Sequence, residues 1–185
     1  MIATPRKSGP RRIISLLIAL AAMAATGLAA APAQAAAPVT VKVKVLMSGP
    51  PVKFIPAGDD KAHTVGMGQR TGKAVFSDGR KADYSNVFTM DLYRGKFAKA
   101  WGYTKMLFKD GAWLFFEWKA AFAGRDKAGN PFMKGTGELL KGTGPYKGIK
   151  GSVTFSNRRI MPGKEFPKGG TEANAVITYT LPDKK

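Results

Sequence analysis

Apolar and polar side chains alternate along most of the chain after residue 38. The clearest case is the run of valines at 39, 41, 43 and 45, which is interleaved with Thr40, Lys42 and Lys44. A period of two predicts a half-buried β-strand, because successive side chains of a strand point to opposite faces. Comparable extended segments predict about eight strands, near residues 39–46, 63–77, 82–93, 96–109, 112–123, 132–140, 148–158 and 172–181. Residues 52–61 contain Pro56, Gly58 and two aspartates, and they predict a loop.

The predicted strands are joined by short turns, with no segment of helical periodicity between them. Asp78-Gly79 and Asp110-Gly111 are hairpin signals, so neighbouring strands should be antiparallel. About eight antiparallel strands in 150 residues are typical of a sandwich or a barrel. Closure is favoured because strands of this length, without helical cover, would otherwise expose long unpaired edges. The sequence therefore predicts an all-β protein, folded as a closed eight-stranded antiparallel barrel.

The N-terminal 35 residues have the composition of a cleavable signal peptide. Arg6, Lys7, Arg11 and Arg12 precede an apolar run over 13–31, and Ala33-Gln34-Ala35 matches a small-x-small cleavage site. A membrane anchor is the alternative interpretation, because the run approaches spanning length. We expect cleavage near Ala35, one domain over 36–185, and a periplasmic or extracellular location. The paired arginines leave the general secretory and twin-arginine routes both open.

The remaining chain is strongly basic. Four of the 30 lysines and arginines, and none of the 12 acidic residues, lie before residue 36, so residues 36–185 carry a net charge of +14. Such a field attracts anionic envelope components or small carboxylates, and export argues against nucleic acid as a partner. The chain has no cysteine, and His63 is its single histidine, which excludes catalytic triads and multi-histidine metal sites. No metal or other cofactor is predicted.

The hairpin around Asp110-Gly111 provides candidate ligand-binding residues. A two-residue turn would pair Lys109 with Ala112, Tyr103 with Trp118, and Lys105 with Phe116. This pairing puts the more aromatic side chains on one face, which we assign to the barrel lumen. The candidate ligand-binding residues on that face are Lys99, Trp101, Tyr103, Lys105, Phe116 and Trp118. A turn longer by one residue would change the pairing.

Two alternatives concern the faces of this hairpin. The lysines of the predicted lumen face would reach solvent at the barrel mouths if they bind nothing. The opposite face carries Met106, Phe108, Trp113 and Phe115, and an outer wall this apolar indicates cover by another subunit, as in a dimer or trimer.

One motif resembles a known group of barrels. Gly142-Thr143-Gly144, Tyr146, Gly148-Ile149 and Gly151 form a glycine-rich segment with one aromatic residue. It is similar to a segment of the allene oxide cyclase and dirigent-like (calycin-like) β-barrel superfamily. The upstream Asp78-Gly79 turn, followed by Tyr84, Asn86 and Asp91, resembles secreted bacterial members of this group. The resemblance implies an eight-stranded barrel with an apolar cavity, often dimeric or trimeric. It assigns no catalytic residue here, and the glycine segment itself is interpreted as a structural corner.

Three functions remain open from the sequence. The leading hypothesis is an exported, non-enzymatic barrel that binds a small apolar or amphipathic ligand, including an acidic one. The first alternative is a cyclase or isomerase of the allene oxide cyclase type, in which the barrel positions a reactive chain. The second is a cationic protein that interacts with the cell envelope through its surface charge.

Overall fold

A computed structural model describes residues 37–94, 96–163 and 167–182. The predicted signal peptide lies outside the described residues. The strands are β1 Val39–Ser48, β2 Lys53–Pro56, β3 His63–Phe76, β4 Lys81–Tyr93, β5 Lys96–Phe108, β6 Trp113–Arg125, β7 Pro131–Gly142, β8 Lys150–Ile160 and β9 Gly170–Thr180. A short 3-10 helix, Gly144–Tyr146, separates β7 from β8. Within these residues, no helix has the length and apolar character needed to cross a membrane.

The strands form one closed antiparallel barrel. The order around the wall is β1-β9-β8-β7-β6-β5-β4-β3, and pairing of β1 with β3 closes it. β1 covers only residues 71–76 of β3, and the short β2 covers residues 64–67 of the same strand. β1 and β2 thus share one of eight positions around the barrel. The fold-class prediction is confirmed, and closure leaves no long edge for pairing with another chain.

The predicted loop over residues 52–61 is wrong in its first half. Lys53–Pro56 is a strand, β2, which pairs antiparallel with β3 from Lys53 opposite Met67 to Pro56 opposite Thr64. Proline is tolerated there because it ends the strand, where its missing N–H removes little of the ladder. β1 pairs only with residues 71–76 of β3, so the rest of that edge is free to pair with β2.

Alternate side chains of the strands form the core, as predicted. On β1 the side chains of Val41, Val43, Val45 and Met47 are buried in the barrel, while the intervening lysines are exposed. Each fully buried side chain of this size stabilises the fold by roughly 1.5–3 kcal/mol. Side chains from all eight barrel strands meet in this one core.

The register of the β5–β6 hairpin differs from the predicted one by one residue. The turn contains three residues, Lys109-Asp110-Gly111, and Phe108 donates its N–H to the carbonyl oxygen of Ala112 at 2.8 Å. Gly111 has φ +83°, the left-handed conformation that closes three-residue hairpins. Tyr103 therefore lies opposite Glu117 instead of Trp118. Because successive side chains of a strand point to opposite faces, the β5 residues that were predicted to face the lumen lie on the outside of the barrel.

One end of the barrel is closed by the glycine motif. Tyr146 of the 3-10 helix is 6% exposed and stacks on Phe108 with ring centroids 5.0 Å apart. The Arg80 guanidinium donates to the Tyr146 hydroxyl and lies 5.1 Å from the ring centroid of Phe76. A Cβ on Gly142 would lie 2.5 Å from the carbonyl oxygen of Tyr146, so this close approach requires glycine. The motif is a structural corner, as the sequence predicted, and the structure adds that its Tyr146 plugs this end of the barrel.

Candidate functional site

The opposite end of the barrel is open and leads into a cavity of about 570 Å³. Its mouth is formed by the segment that follows β1, the middle of β3, the far ends of β4, β6 and β8, and the start of β9. Aromatic and thioether side chains provide its apolar walls, among them Phe88, Met90, Trp118, Phe122 and Met133. Three cationic side chains, Arg70, Arg159 and Lys168, also line it. A volume of this size suits a small organic ligand.

Arg70 is an inward-facing cation in this cavity. It lies between Gly68 and Gly72 on β3, on a face that after Thr64 otherwise carries only glycine, alanine and phenylalanine. The guanidinium donates to the carbonyl oxygens of Pro50 at 2.8 Å and of Gln69 at 2.9 Å. It also lies 5.4 Å from the ring centroid of Phe88. Burial lowers the pKa of Arg70 from its usual value, although the group stays protonated at neutral pH.

No carboxylate neutralises this arginine among the residues that the structure describes. The seven ion pairs there involve six cationic groups, and none of the six is Arg70, Arg159 or Lys168. A half-buried guanidinium without a counter-charge is costly, and an anionic ligand would supply what is missing. The mouth therefore has the electrostatic character of an anion-binding site.

A set of buried polar groups lies deeper in the lumen. Asn86 is 7% exposed and donates through Nδ2 to the Tyr84 hydroxyl at 3.1 Å, and that hydroxyl lies 3.3 Å from Oγ1 of Thr104. Burial raises the pKa of Tyr84, which keeps its phenol neutral at physiological pH. Among the described groups, Asn86 Oδ1 and Trp118 Nε1 are buried without a hydrogen-bond partner. Unpartnered buried polar atoms are rare, and here they offer an acceptor and a donor to a bound molecule.

The structure divides the six predicted ligand-binding residues between two faces. Phe116 and Trp118 are buried in the lumen, as predicted, at 4% and 8% exposure. Lys99, Trp101, Tyr103 and Lys105 lie on the outer wall, so their predicted lumen position is wrong. The reason is the three-residue turn, which reverses the faces of β5 relative to β6. A binding role for the outer four stays a prediction, now for a different surface.

Each of these outer-wall residues has its own environment. Lys99 lies 3.5 Å from Asp91, and Lys105 lies 5.5 Å from the ring centroid of Trp113. Tyr103 stacks on Phe115 with ring centroids 5.7 Å apart and the ring planes 4° apart.

The one-residue register shift of the β5–β6 hairpin also corrects the predicted outer wall. Met106 and Phe108 are buried inside the barrel, whereas Trp113 and Phe115 lie outside and are half-buried. Cover by another subunit stays a prediction.

Sequence reasoning missed the three cationic residues of the cavity, Arg70, Arg159 and Lys168. It connected Asn86 with the family resemblance and not with a binding site. A signal for Arg70 was available, because Gly66, Gly68, Arg70, Gly72 and Ala74 share one face of β3 and an arginine is unusual in such a series. No comparable signal marks Lys168, which lies in the loop before β9 and reaches the mouth only through the closure of the barrel.

His63 lies outside the cavity, within a cluster of charged and polar groups where β2, β3 and β4 meet. Its Nε2 lies 2.6 Å from Asp91 Oδ1, and its Nδ1 lies 2.7 Å from Asp59 Oδ1. Hydrogen bonds to Asp91 and then Asp59 raise the pKa of His63 and lower the pKa of both carboxyls. Tyr93 completes the cluster by donating to Asp60 at 2.6 Å. In the described part of the chain, no group of three histidine, cysteine or acidic residues could hold a metal ion.

Comparison with known proteins gives distant structural matches only. No protein-family model matches the chain, and no curated protein matches it. Among solved structures, the chain is similar to the pterocarpan synthase dirigent protein PsPTS1, with 13% identity, a TM-score of 0.46, and coverage of 82% of this chain and 99% of that one. The pterocarpan synthase dirigent protein GePTS1 matches with 11% identity, a TM-score of 0.42, and coverage of 79% and 88%. At these values neither match supports an inference about ligand or reaction.

Proposed function

We propose that this protein is an exported barrel that binds a small amphipathic ligand carrying one acidic group. The apolar body of the ligand occupies the lumen against Phe88 and Trp118, and its acidic group meets Arg70 at the mouth. In this proposal residues 36–185 work in the periplasm or outside the cell, as a secreted member of the dirigent-like barrels. The observation that carries it is the inward Arg70, which has no carboxylate partner among the described residues and adjoins a cavity of about 570 Å³.

The distribution of charge supports an anion over a cation or a neutral molecule. Arg159 and Lys168 lie on the same mouth as Arg70, so three positive groups face one opening. A planar guanidinium offers two parallel N–H donors to a carboxylate, a sulfonate or a phosphate. Arg70 donates to two backbone carbonyls near the mouth. If a ligand takes over these hydrogen bonds, water can solvate the carbonyls. The excess positive charge of the chain raises the rate at which anions reach the mouth.

The buried polar groups give the ligand a second requirement. Asn86 Oδ1 can accept a hydrogen bond and Trp118 Nε1 can donate one, and both residues line the inner part of the cavity. A ligand with a hydroxyl or amide toward its apolar end would give these two buried atoms the hydrogen-bond partners that they lack. A purely hydrocarbon body would bind more weakly, because these buried atoms would stay unpaired.

The test uses two probes that share an aromatic body and differ in charge. 8-Anilinonaphthalene-1-sulfonate carries a sulfonate, whereas N-phenyl-1-naphthylamine has none, and the fluorescence of both rises in apolar sites. We expect both to bind the purified protein. Arg70→Met should weaken binding of the sulfonate about tenfold, the loss expected for one charge-assisted interaction, and change the neutral probe by less than about twofold.

A matched control separates the lumen from general surface charge. Lys105→Met removes a cation from the outer wall and should leave both affinities unchanged, because Lys105 does not line the cavity. If Lys105→Met and Arg70→Met weaken the sulfonate equally, the probe binds through net charge and the proposal is wrong. Urea unfolding of each variant, measured in parallel, verifies that the compared proteins are folded.

A further inference from the structure

A second depression lies on the outside of the barrel, across β5, β6, β7 and β8. This outer groove has a volume of about 640 Å³ and is separated from the lumen by the barrel wall. Its side chains form two rows that cross the strands. The first row is Tyr103, Glu117, Glu138 and Ser152, and the second row is Trp101, Lys119 and Thr136. Each member of a row is the direct cross-strand neighbour of the next.

The β5 end of the outer groove is an aromatic platform. Trp101 is 46% exposed and Tyr103 is 49% exposed, and both project from the same face of β5 about 7 Å apart. Tyr103 stacks on Phe115, with ring planes 4° apart, and this contact orients the exposed phenol ring. Large aromatic side chains exposed side by side on a sheet face mark a binding surface.

The middle of the outer groove holds an unfavourable arrangement of charge. Glu117 on β6 lies directly opposite Glu138 on β7, and like charges in opposed positions destabilise a sheet. Neither carboxylate takes part in an ion pair among the described residues. In a protein with so many lysines, two opposed carboxylates that form no ion pair, even with Lys119 in the same groove, are a local departure from good packing, and such departures cluster at functional sites.

We propose that the outer groove binds an uncharged linear polysaccharide of the β-1,4-linked hexose type. The flat C–H face of such a sugar ring stacks on Trp101 and Tyr103, while its hydroxyl edge donates to Glu117 and Glu138 and accepts from Lys119. Neighbouring strands are about 4.8 Å apart, a spacing comparable with one sugar of the polymer, so the four strands suit about three sugars.

Charge and polarity decide between this occupant and others. An anionic polymer would meet the opposed carboxylates and be repelled. An apolar protein surface would bury both carboxylates without partners, which is costly. A neutral sugar chain supplies hydroxyl donors to the acidic residues and C–H faces to the rings at the same time. The proposal does not depend on the lumen ligand, because the residues that would hold the sugar line only the outer groove; the two sites share one lining residue, Trp118.

The test is calorimetric titration of the purified protein with cellohexaose and with chitohexaose. We expect at least one to bind, with an affinity that does not change between low and high salt because the sugar is neutral. Trp101→Ala should weaken binding about tenfold, the effect of losing one well-stacked ring. Glu117→Gln should weaken it less, since the amide keeps one acceptor oxygen. Leu107→Ala is the control, because Leu107 is 39% exposed on the same strand but outside the groove.

Three results would overturn the proposal. The first is the absence of heat with both hexasaccharides. The second is equal weakening by Trp101→Ala and Leu107→Ala, which would mean that no particular ring is used. The third is a concentration-dependent dimer in sedimentation velocity that Trp101→Ala dissociates, which would make a second copy the occupant. Arg70→Met must leave sugar binding unchanged. Weaker binding by this variant would mean that the sugar binds in the lumen.

Discussion

The two ends of the barrel contain the same kinds of side chain and differ in how fully these are paired. At the closed end, Arg80 lies over aromatic rings, donates to the Asp78 carboxylate at 2.8 Å through Nε, and bonds the Tyr146 hydroxyl. At the open end, Arg70 also lies over an aromatic ring, but its partners are backbone carbonyls.

This difference separates stability from function. Complete pairing at the closed end stabilises the fold and leaves nothing for a ligand to supply. Incomplete pairing at the open end costs stability. In the described structure the half-buried guanidinium of Arg70 has no carboxylate partner, and Asn86 Oδ1 and Trp118 Nε1 have no hydrogen-bond partner. Proteins retain such defects where binding needs them, so a ligand should stabilise the open end most.

The largest expected effect is at the plug of the closed end. Tyr146→Ala should lower the free energy of unfolding by about 3–5 kcal/mol, because it removes a buried ring and leaves a cavity. Urea unfolding monitored by circular dichroism measures the change. Tyr103→Ala is the matched control, since that ring is 49% exposed, and it should cost less than about 1 kcal/mol. Similar costs at the two tyrosines would contradict the assignment of Tyr146 as the plug.

The second effect compares the two arginines directly. Arg80→Met should destabilise the protein by about 2 kcal/mol, because it removes hydrogen bonds to a carboxylate and to Tyr146. Arg70→Met should change stability by no more than about 0.5 kcal/mol, since the carbonyls it leaves can be solvated at the mouth. Binding of the naphthalene sulfonate should show the reverse order, with Arg80→Met close to the parent. Equal destabilisation by both substitutions would show that the ends do not differ as proposed.

The smallest effect is a pH dependence near the open end. The pKa of His63 is raised above its ordinary 6.5 by hydrogen bonds to Asp91 and Asp59, with Lys99 near Asp91 as the opposing cation. A raised folded-state pKa means that stabilisation by His63 is fully present below 6.5 and is lost as pH rises through the folded value. The two carboxyls have lowered pKa values, so their stabilisation is present above their ordinary 3.8 and is lost as pH falls.

NMR titration measures this prediction directly, because His63 is the single histidine and its ring protons need no assignment among others. The apparent pKa should lie above 6.5 in the parent protein. Asp91→Asn should lower it more than Asp59→Asn does, since the Asp91 hydrogen bond is the larger cause and that side chain is the less exposed. An ordinary pKa in the parent protein would mean that the imidazole does not lie between the two carboxylates in solution.

Much of the fold could be predicted from the sequence because strand alternation and hairpin turns are local. The valines of β1 and the Asp-Gly turns indicated strands and antiparallel neighbours, and closure followed from the lack of cover for long edges. β2 could not be predicted in this way. Its four residues are strand only because β1 ends early on β3 and leaves an edge to pair with.

Two of the six predicted ligand-binding residues, Phe116 and Trp118, lie in the lumen, and their binding role stays a prediction. All six were assigned together, because the predicted pairing put the more aromatic side chains of the hairpin on one face. The residues of β5 were assigned from their partners across the turn, and one additional turn residue was enough to reverse them. Arg159 and Lys168 lie far from Arg70 in the sequence, so only closure of the barrel brings the three to one mouth.

By itself the sequence determined the class of the protein: a basic, cysteine-free chain whose period-two pattern and short turns specify an antiparallel β-structure. These properties depend on neighbouring residues, so they can be read from the chain directly. The tertiary structure alone decided which face of β5 is inside, where β2 pairs, and that Arg70, Asn86 and Trp118 share a cavity. Each of these depends on register and closure, which are set by contacts between residues distant in sequence.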